Sequence, residues 1–156
     1  MRGRLLPIAL ILFALPACRG KSEDAKIHAL FAKGASAAED SDVHGVVDLL
    51  AENFHAGDLD RQSIKVFLAA RLLRGEKVTV VRRDEAIKVE GDAATASFDA
   101  GLFSGERAHL KGAVPSRMGT YHFDLTLAKI SGEWKVTKAE YREIPAAQFA
   151  IEASDF

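Results

Sequence analysis

The sequence predicts an α+β domain, with helices first and an antiparallel sheet second. Between residues 22 and 75, apolar side chains recur at intervals of three and four residues, which is the spacing of amphipathic helices. From residue 77 onward they alternate with polar side chains, as in strands that bury one face. Turn sequences at 91–92 and 131–132 separate these strands.

Three helices are expected in the first half. Ser22 caps the first helix, and two acidic residues in its first turn favour the positive end of the helix dipole. The second helix begins at Ser41 or Asp42 and is expected to end at Asn53. The third spans 60–75 and ends at a glycine, a residue that suits the left-handed backbone of a helix C-terminus.

Four strands are expected after the helices. The first spans 77–89, with a β-bulge at 82–85 where the alternation fails. The second spans 94–102, and the third spans 121–127. The last strand follows the turn at 131–132 and contains Trp134, Val136 and Tyr141.

Alternation along the two clearest strands assigns their side chains to faces. Burial drives the apolar side inward, so Phe98, Tyr121 and Phe123 are expected on the inner face. Asp99 and Asp124 have the opposite parity and point outward. Tyr121 is therefore the clear polar group of the inner face, which is too little for an acid–base pair.

The composition limits the classes of function. The formal net charge is −1, so there is no basic excess to bind nucleic acid. A single cysteine excludes an internal disulfide. No two histidines have the i, i+4 spacing of a helical metal site. We therefore expect neither a metal ion nor another cofactor.

The N-terminus has the composition of an export signal. Arg2 and Arg4 precede an apolar run from Leu5 to Leu15. A span of the hydrocarbon core needs about 20 apolar residues, so this run favours cleavage over a permanent span.

The four residues Leu15-Pro16-Ala17-Cys18 resemble the lipobox of bacterial lipoproteins. That resemblance implies cleavage between Ala17 and Cys18, a diacylglyceryl group on the Cys18 thiol, and acylation of the new amine, with palmitate as a typical chain. Arg19 is not the aspartate of inner-membrane retention, so the periplasmic side of the outer membrane is expected in a Gram-negative host. The alternative is an ordinary secretory signal with an incidental cysteine.

Three further segments carry a second resemblance: AAEDSDVHGVVDLLAENF (37–54), VEGDAATASF (89–98) and YHFDLTLAKISGEWKV (121–136). Their order is similar to the nuclear-transport-factor-2-like superfamily, the cone fold of SnoaL-like proteins, polyketide cyclases and ketosteroid isomerases. The resemblance implies N-terminal helices packed in the concavity of a curved antiparallel sheet. It also implies a pocket between helices and sheet, and dimerisation through the outer sheet face.

The two resemblances together divide the chain into four segments. Residues 1–17 are the signal peptide, 18–23 the lipidated tether, 24–143 the domain, and 144–156 a tail that is either a docking strand or loose.

Aromatic side chains would line the implied pocket in part: Phe98, Tyr121, Phe123 and Trp134. If the pocket is open, such a lining suits a small apolar ligand. If the aromatic rings fill the pocket, the protein works through its surface instead. We therefore interpret the protein as a membrane-anchored, non-enzymatic ligand-binding or protein-assembly module.

The alternative function is a small-molecule isomerase, cyclase or hydrolase that uses His55 or Asp58. A histidine and a carboxylate can act as general base and orienter. A structural role explains the same residues, because Gly57-Asp58 would turn the chain and Asp60 would cap the third helix. We assign no catalytic residue.

Two polar regions are candidates for partner contacts. Asp99, His122 and Asp124 mark the outer sheet face, which is either solvated or a surface for a second copy or another envelope protein. The basic loop 104–117 faces either solvent or anionic lipid headgroups.

Lipidation at Cys18 gives the first testable prediction. Mass spectrometry of protein from the membrane fraction should find a mature N-terminus at Cys18 that carries acyl chains, because two or more chains anchor a protein stably. Cys18→Ala should abolish membrane association. An unmodified N-terminus, or a Cys18→Ala protein that stays with the membrane, would contradict lipidation.

Overall fold

A computed structural model describes residues 22–72, 77–105 and 117–145, together with residues 147 and 149. Its helices are α1 (Glu23–Glu39), α2 (Val43–Val47) and α3 (Arg61–Leu72). Its strands are β1 (Leu50–Ala56), β2 (Leu59–Asp60), β3 (Val78–Glu90), β4 (Ala93–Ser104), β5 (Arg117–Ile130) and β6 (Glu133–Glu143). Among the described helices, none is long and apolar enough to cross a bilayer.

The six strands form one curved sheet in the order β2-β1-β6-β5-β4-β3. β1 runs parallel to β6, and the other neighbouring pairs are antiparallel, so the sheet is mixed. α1 packs against β3 and also contacts β6. The sheet face beneath α1 is called the inner face, and the opposite one the outer face. The predicted α+β class, with helices on a sheet, is confirmed.

The predicted second helix is too long. α2 ends at Val47, and β1 begins at Leu50, where a helix was expected to continue to Asn53. The segment 46–51 is apolar except for Asp48, and its pattern fits the spacing of a helix as well as that of a strand. Backbone pairing with β6 decides for the strand, and this pairing is also why the sheet is mixed rather than purely antiparallel.

The predicted bulge in β3 is confirmed. The pairing of β3 with β4 shifts at residues 83–86, and Asp84 takes a left-handed backbone with φ of 53°. Aspartate tolerates that conformation better than most residues with a Cβ. The extra residue puts both Arg82 and Ile87 on the inner face, although strict alternation would place them on opposite faces.

The main core lies between α1 and the inner face. Ile27 is completely buried, and Phe31 is nearly so. Ala94 and Ala96 of β4 belong to the same cluster, and their short side chains let the helix approach the sheet. Burying a side chain such as that of Ile27 stabilises the fold by about 1.5–3 kcal/mol.

A second apolar cluster lies on the outer face: Val81, Phe103, Ile144 and Phe149. Residues 144–156 were expected to be a tail outside the domain. The structure describes four of them, and two of those four, Ile144 and Phe149, are buried in this cluster. Packing therefore extends past residue 143 as far as Phe149.

Glu23 fastens the N-terminus of α1 to the β5–β6 hairpin. Its carboxylate accepts a 2.7 Å hydrogen bond from Trp134 Nε1 and lies 3.1 Å from Lys129 Nζ. Lys26 Nζ, one turn along α1, lies 2.7 Å from the same carboxylate. Hydrogen bonds from Lys26 first, then from Lys129 and Trp134, lower the pKa of Glu23 to about 2.

Glu23 should make the stability of the domain pH-dependent. Its folded pKa is depressed, so its contribution is full above the usual carboxyl value of 4.5 and is lost as the pH falls towards about 2. Glu23→Gln should therefore lower the free energy of unfolding at pH 7 and hardly change it at pH 2. Urea unfolding at both pH values measures the difference.

The matched control for this prediction is Glu52→Gln, because the side chain of Glu52 is 92% exposed. It should change stability little at either pH. A loss in Glu23→Gln that is equal at pH 7 and pH 2 would contradict the assigned role of the carboxylate.

Candidate functional site

Strand register brings aromatic side chains together on the inner face. Phe98 of β4 is opposite Phe123 of β5, which is opposite Tyr141 of β6. Tyr121 lies two residues before Phe123 on β5, on the same face. These four residues, Phe98, Tyr121, Phe123 and Tyr141, are called the aromatic cluster.

The rings of the aromatic cluster touch in a chain across three strands. Phe98 and Phe123 stack with centroids 5.3 Å apart, and Phe123 lies 6.1 Å from Tyr141. Tyr121 meets Tyr141 edge-on at 6.3 Å. Phe31 of α1 lies at one end of this row of rings, with its centroid 5.2 Å from that of Phe98. These separations lie in the range where aromatic pairs attract each other.

The aromatic cluster is only partly buried. Phe98, Tyr121 and Phe123 are of intermediate burial, and Tyr141 is 59% exposed. A hydrophobic ring on a strand is normally covered, so this end of the inner face offers apolar surface to a ligand. It contrasts with the other end, where Ile27 and Leu127 are sealed from solvent.

Trp134, which was predicted to line the same pocket in part, lies apart from the aromatic cluster. It is opposite Lys129, six residues along β5 from Phe123, and is only 5% exposed. Its indole N–H is already bonded to Glu23. The sequence pattern could not show which end of the last strand α1 covers.

Three polar side chains near Phe31 link α1 to β3: His28 on the helix, and Arg82 and Glu85 on the strand. Glu85 accepts a 2.6 Å hydrogen bond from His28 Nδ1, and its other oxygen lies 2.7 Å from an Arg82 nitrogen. The Arg82 guanidinium lies 6.0 Å from the centre of the Phe31 ring. His28 and its partner are 57 residues apart, and Glu85 sits next to a bulge, so the sequence alone does not indicate this pair.

His55 and Asp58 lie away from the aromatic cluster. His55 is exposed on β1, opposite Asp60, and Asp58 is exposed in the turn between β1 and β2. Asp60 accepts a 2.7 Å hydrogen bond from the backbone N–H of Ser63, and that bond lowers the pKa of Asp60. Asp60 therefore caps α3, which is the structural role considered for it.

The outer face holds the polar residues that alternation placed there. His122 Nδ1 donates to Asp99 at 2.5 Å, and His122 Nε2 lies 3.5 Å from Asp124. Within the described ranges, no three histidine, cysteine or carboxylate side chains are grouped as a metal site would require. Most of the basic loop predicted at 104–117 lies outside the described residues.

A groove of about 320 Å³ lies on the outer face, with Asp124 in its lining. Short or charged side chains form much of its lining: Lys88, Thr95, Ser97, Asp124, Lys138 and Glu140. A hydrogen bond from Lys138 lowers the pKa of Glu140. Aliphatic residues such as Ile87 and Leu125 also line the groove, whereas the inner-face site is aromatic.

Comparisons with known proteins identify similar structures but no similar sequences. No family model matches the sequence, and no curated protein has significant sequence similarity to it. A protein of unknown function from Mycobacterium tuberculosis superposes with a TM-score of 0.67 and 18% identity, over 81% of this chain and 79% of its own. A nuclear-transport-factor-2-like protein from Novosphingobium aromaticivorans superposes with a TM-score of 0.62 and 18% identity, over 78% of this chain and 83% of its own.

The chain has the nuclear-transport-factor-2-like fold. A third structure of that shape, provisionally named a scytalone dehydratase and also from Novosphingobium aromaticivorans, superposes with a TM-score of 0.66 and 13% identity. It covers 83% of this chain and 89% of its own. The superpositions establish the shared fold. At identities this low, a shared fold does not transfer an activity from one protein to another.

Proposed function

We propose that this protein is a lipid-anchored envelope protein whose domain binds a small apolar ligand at the aromatic cluster without converting it. The observation that carries the proposal is the exposed end of this cluster on the inner face. Three rings in register, with Tyr141 59% exposed, form a stacking surface that the protein itself does not cover completely.

The chemistry of the aromatic cluster favours a ligand with a flat ring system. Ring faces attract other rings in offset or edge-on geometry, and the two tyrosine hydroxyls supply hydrogen bonds at the margin. Arg82, which lies over Phe31, and Glu85 lie 2.7 Å apart and largely neutralise each other, whereas Glu143 is the exposed cross-strand neighbour of Tyr121. The ring faces themselves carry no charge, so the site suits a ligand that is mostly uncharged.

The membrane location is supported by the sequence alone. The lipobox-like Leu15-Pro16-Ala17-Cys18 follows a short apolar run, and the residues between Cys18 and the start of α1 at Glu23 would serve as a tether. Anchoring would hold the aromatic cluster close to a bilayer, where apolar small molecules concentrate.

The second candidate is a small-molecule isomerase, cyclase or hydrolase. The observation in its favour is the His28–Glu85 hydrogen bond, since a carboxylate that orients an imidazole is a known arrangement for a general base. One structure of the same shape carries the provisional name of a dehydratase. If the protein is an enzyme, Glu85→Gln should abolish turnover while ligand affinity is kept.

Ligand binding can be tested with 2-naphthol, an uncharged aromatic probe, followed by chemical shifts in NMR spectra. We expect saturable shifts for residues of the aromatic cluster. Tyr141→Ala should weaken binding by about 3- to 10-fold, which corresponds to the loss of one aromatic contact.

Val66→Ala is the matched control, because Val66 on α3 is 60% exposed and Tyr141 is 59% exposed. It should leave the affinity unchanged. Equal affinity in Tyr141→Ala and in the unaltered protein would contradict binding at the aromatic cluster, as would a probe that shifts no cluster residue.

A further inference from the structure

Two tight turns of the sheet lie at the same end of the domain. Residues 91–92 connect β3 to β4, and residues 131–132 connect β5 to β6. The backbone N–H of Lys129 donates to the carbonyl of Asp92 at 2.8 Å, so the two turns are held side by side. We call this end of the sheet, with its turns at 91–92 and 131–132, the hairpin end.

Helix α1 also begins at the hairpin end. Glu23 is its first residue, and the Glu23 carboxylate contacts Trp134 and Lys129 beside the second turn. Cys18 is four residues before Ser22, and a fully extended chain of that length spans at most about 14 Å. A lipid anchor at Cys18 would therefore hold the hairpin end within about 14 Å of the bilayer surface.

The aromatic cluster lies towards the opposite end of the sheet. Along β5, Tyr121 precedes Ile130 by nine residues, which is a separation of about 30 Å in a strand. β4 ends at Ser104 and β5 begins at Arg117, so the residues that flank the basic loop are at this far end as well. The tether reaches only about half of the separation, so it brings the hairpin end to the bilayer and not the far end.

Ile130 gives the hairpin end an exposed apolar side chain. It is the last residue of β5 and is 42% exposed. The other large apolar side chains that are exposed among the described residues lie on β2, on α3 or in the aromatic cluster: Leu59, Val66, Phe67 and Tyr141. Of this set, Ile130 is therefore the side chain at the place where the tether brings the domain to lipid.

Three lysines of the hairpin end are each paired with a carboxylate. Lys26 and Lys129 lie 2.7 Å and 3.1 Å from Glu23. Lys135 lies 3.3 Å from Glu133. These pairs leave little net positive charge, so attraction to anionic headgroups is weak. The hairpin end suits the interface of a zwitterionic bilayer, where the paired charges stay hydrated and an apolar side chain enters the headgroup layer.

We propose that the hairpin end is the surface by which the domain rests on its own membrane, with the side chain of Ile130 in the headgroup layer of the bilayer. This orientation rests on the lipid anchor of the proposed function. It places the aromatic cluster about 30 Å along the sheet from the bilayer, where the cluster opens into water. The cluster then takes up its ligand from the aqueous layer next to the membrane rather than from within the bilayer.

Paramagnetic relaxation in NMR spectra tests the orientation without depending on lipidation in cells. In the chain from residue 18, the single thiol, that of Cys18, is coupled to a maleimide lipid in phosphatidylcholine nanodiscs that contain a gadolinium-chelate headgroup lipid. Removing residues 1–17 leaves every described contact in place. The relaxation enhancement should be about tenfold or more larger at the amide of Glu133 than at that of Tyr121, because about 30 Å separates the two ends of β5.

Ile130→Ser tests the apolar contact, and Leu59→Ser is the matched control, because the two side chains are 42% and 37% exposed. Ile130→Ser should weaken the contact by about 3- to 10-fold, which appears as a smaller enhancement at Glu133. Leu59→Ser should leave the enhancement unchanged. Circular dichroism verifies that both variants are folded, and the comparison of the two ends of β5 in the unaltered domain needs neither variant.

Three results would overturn the proposal. The first is an equal enhancement at both ends of β5. The second is an enhancement that is largest near Ser104 or Arg117, where the basic loop joins the sheet. The third is the same enhancement in Ile130→Ser as in Leu59→Ser. A failure of the proposed function is seen in other measurements, as an unmodified Cys18 in protein from the membrane fraction or as an absence of 2-naphthol binding.

Discussion

Helix α1 lies across the inner face of the sheet, and its contacts there determine how the rest of the domain is arranged. Ile27 and Phe31 fit against the short side chains of Ala94 and Ala96. Polar contacts hold the helix along its length: Glu23 to Trp134 and Lys129, His28 to Glu85, and Glu39 to the backbone N–H of Val80. Because α1 covers only part of the inner face, it leaves the aromatic cluster at the margin between core and solvent. The candidate site is the part of the sheet that α1 does not seal.

The two sheet faces have different chemistry because alternate residues of the same strands supply them. On β5, Tyr121 and Phe123 belong to the aromatic cluster, whereas Thr120 and His122 lie on the outer face. A ligand on the inner face and a partner on the outer face would therefore contact neighbouring residues of one strand. The same holds for β3, where Arg82 faces α1 and its neighbour Arg83 lies beside Phe149, and the bulge at 83–86 then returns Ile87 to the inner face.

Alternation in the sequence predicted the strands of the second half and the outward direction of Asp99 and Asp124, because period two is a local property of the chain. It could not decide the secondary structure of residues 46–51, because their apolar side chains fit both a helix and a strand. Pairing with β6 makes residues 50 and 51 part of a strand. Nor could alternation find His28 with Glu85, since a bulge makes the direction of Glu85 unreadable. The burial of Trp134 could not be predicted either, because it depends on packing against α1, which is distant in the sequence. The burial of Phe149 depends on Gly101, a residue that in the sequence suggests only a weak point in a strand.

A crystal of the domain soaked with 2-naphthol tests the central claim most directly, because it shows where an uncharged ring binds. The account predicts one bound molecule on the inner face, stacked on Phe98 or Phe123 and in contact with Tyr141. Density for the probe in the outer-face groove instead, with the aromatic cluster empty at saturating probe, would contradict it.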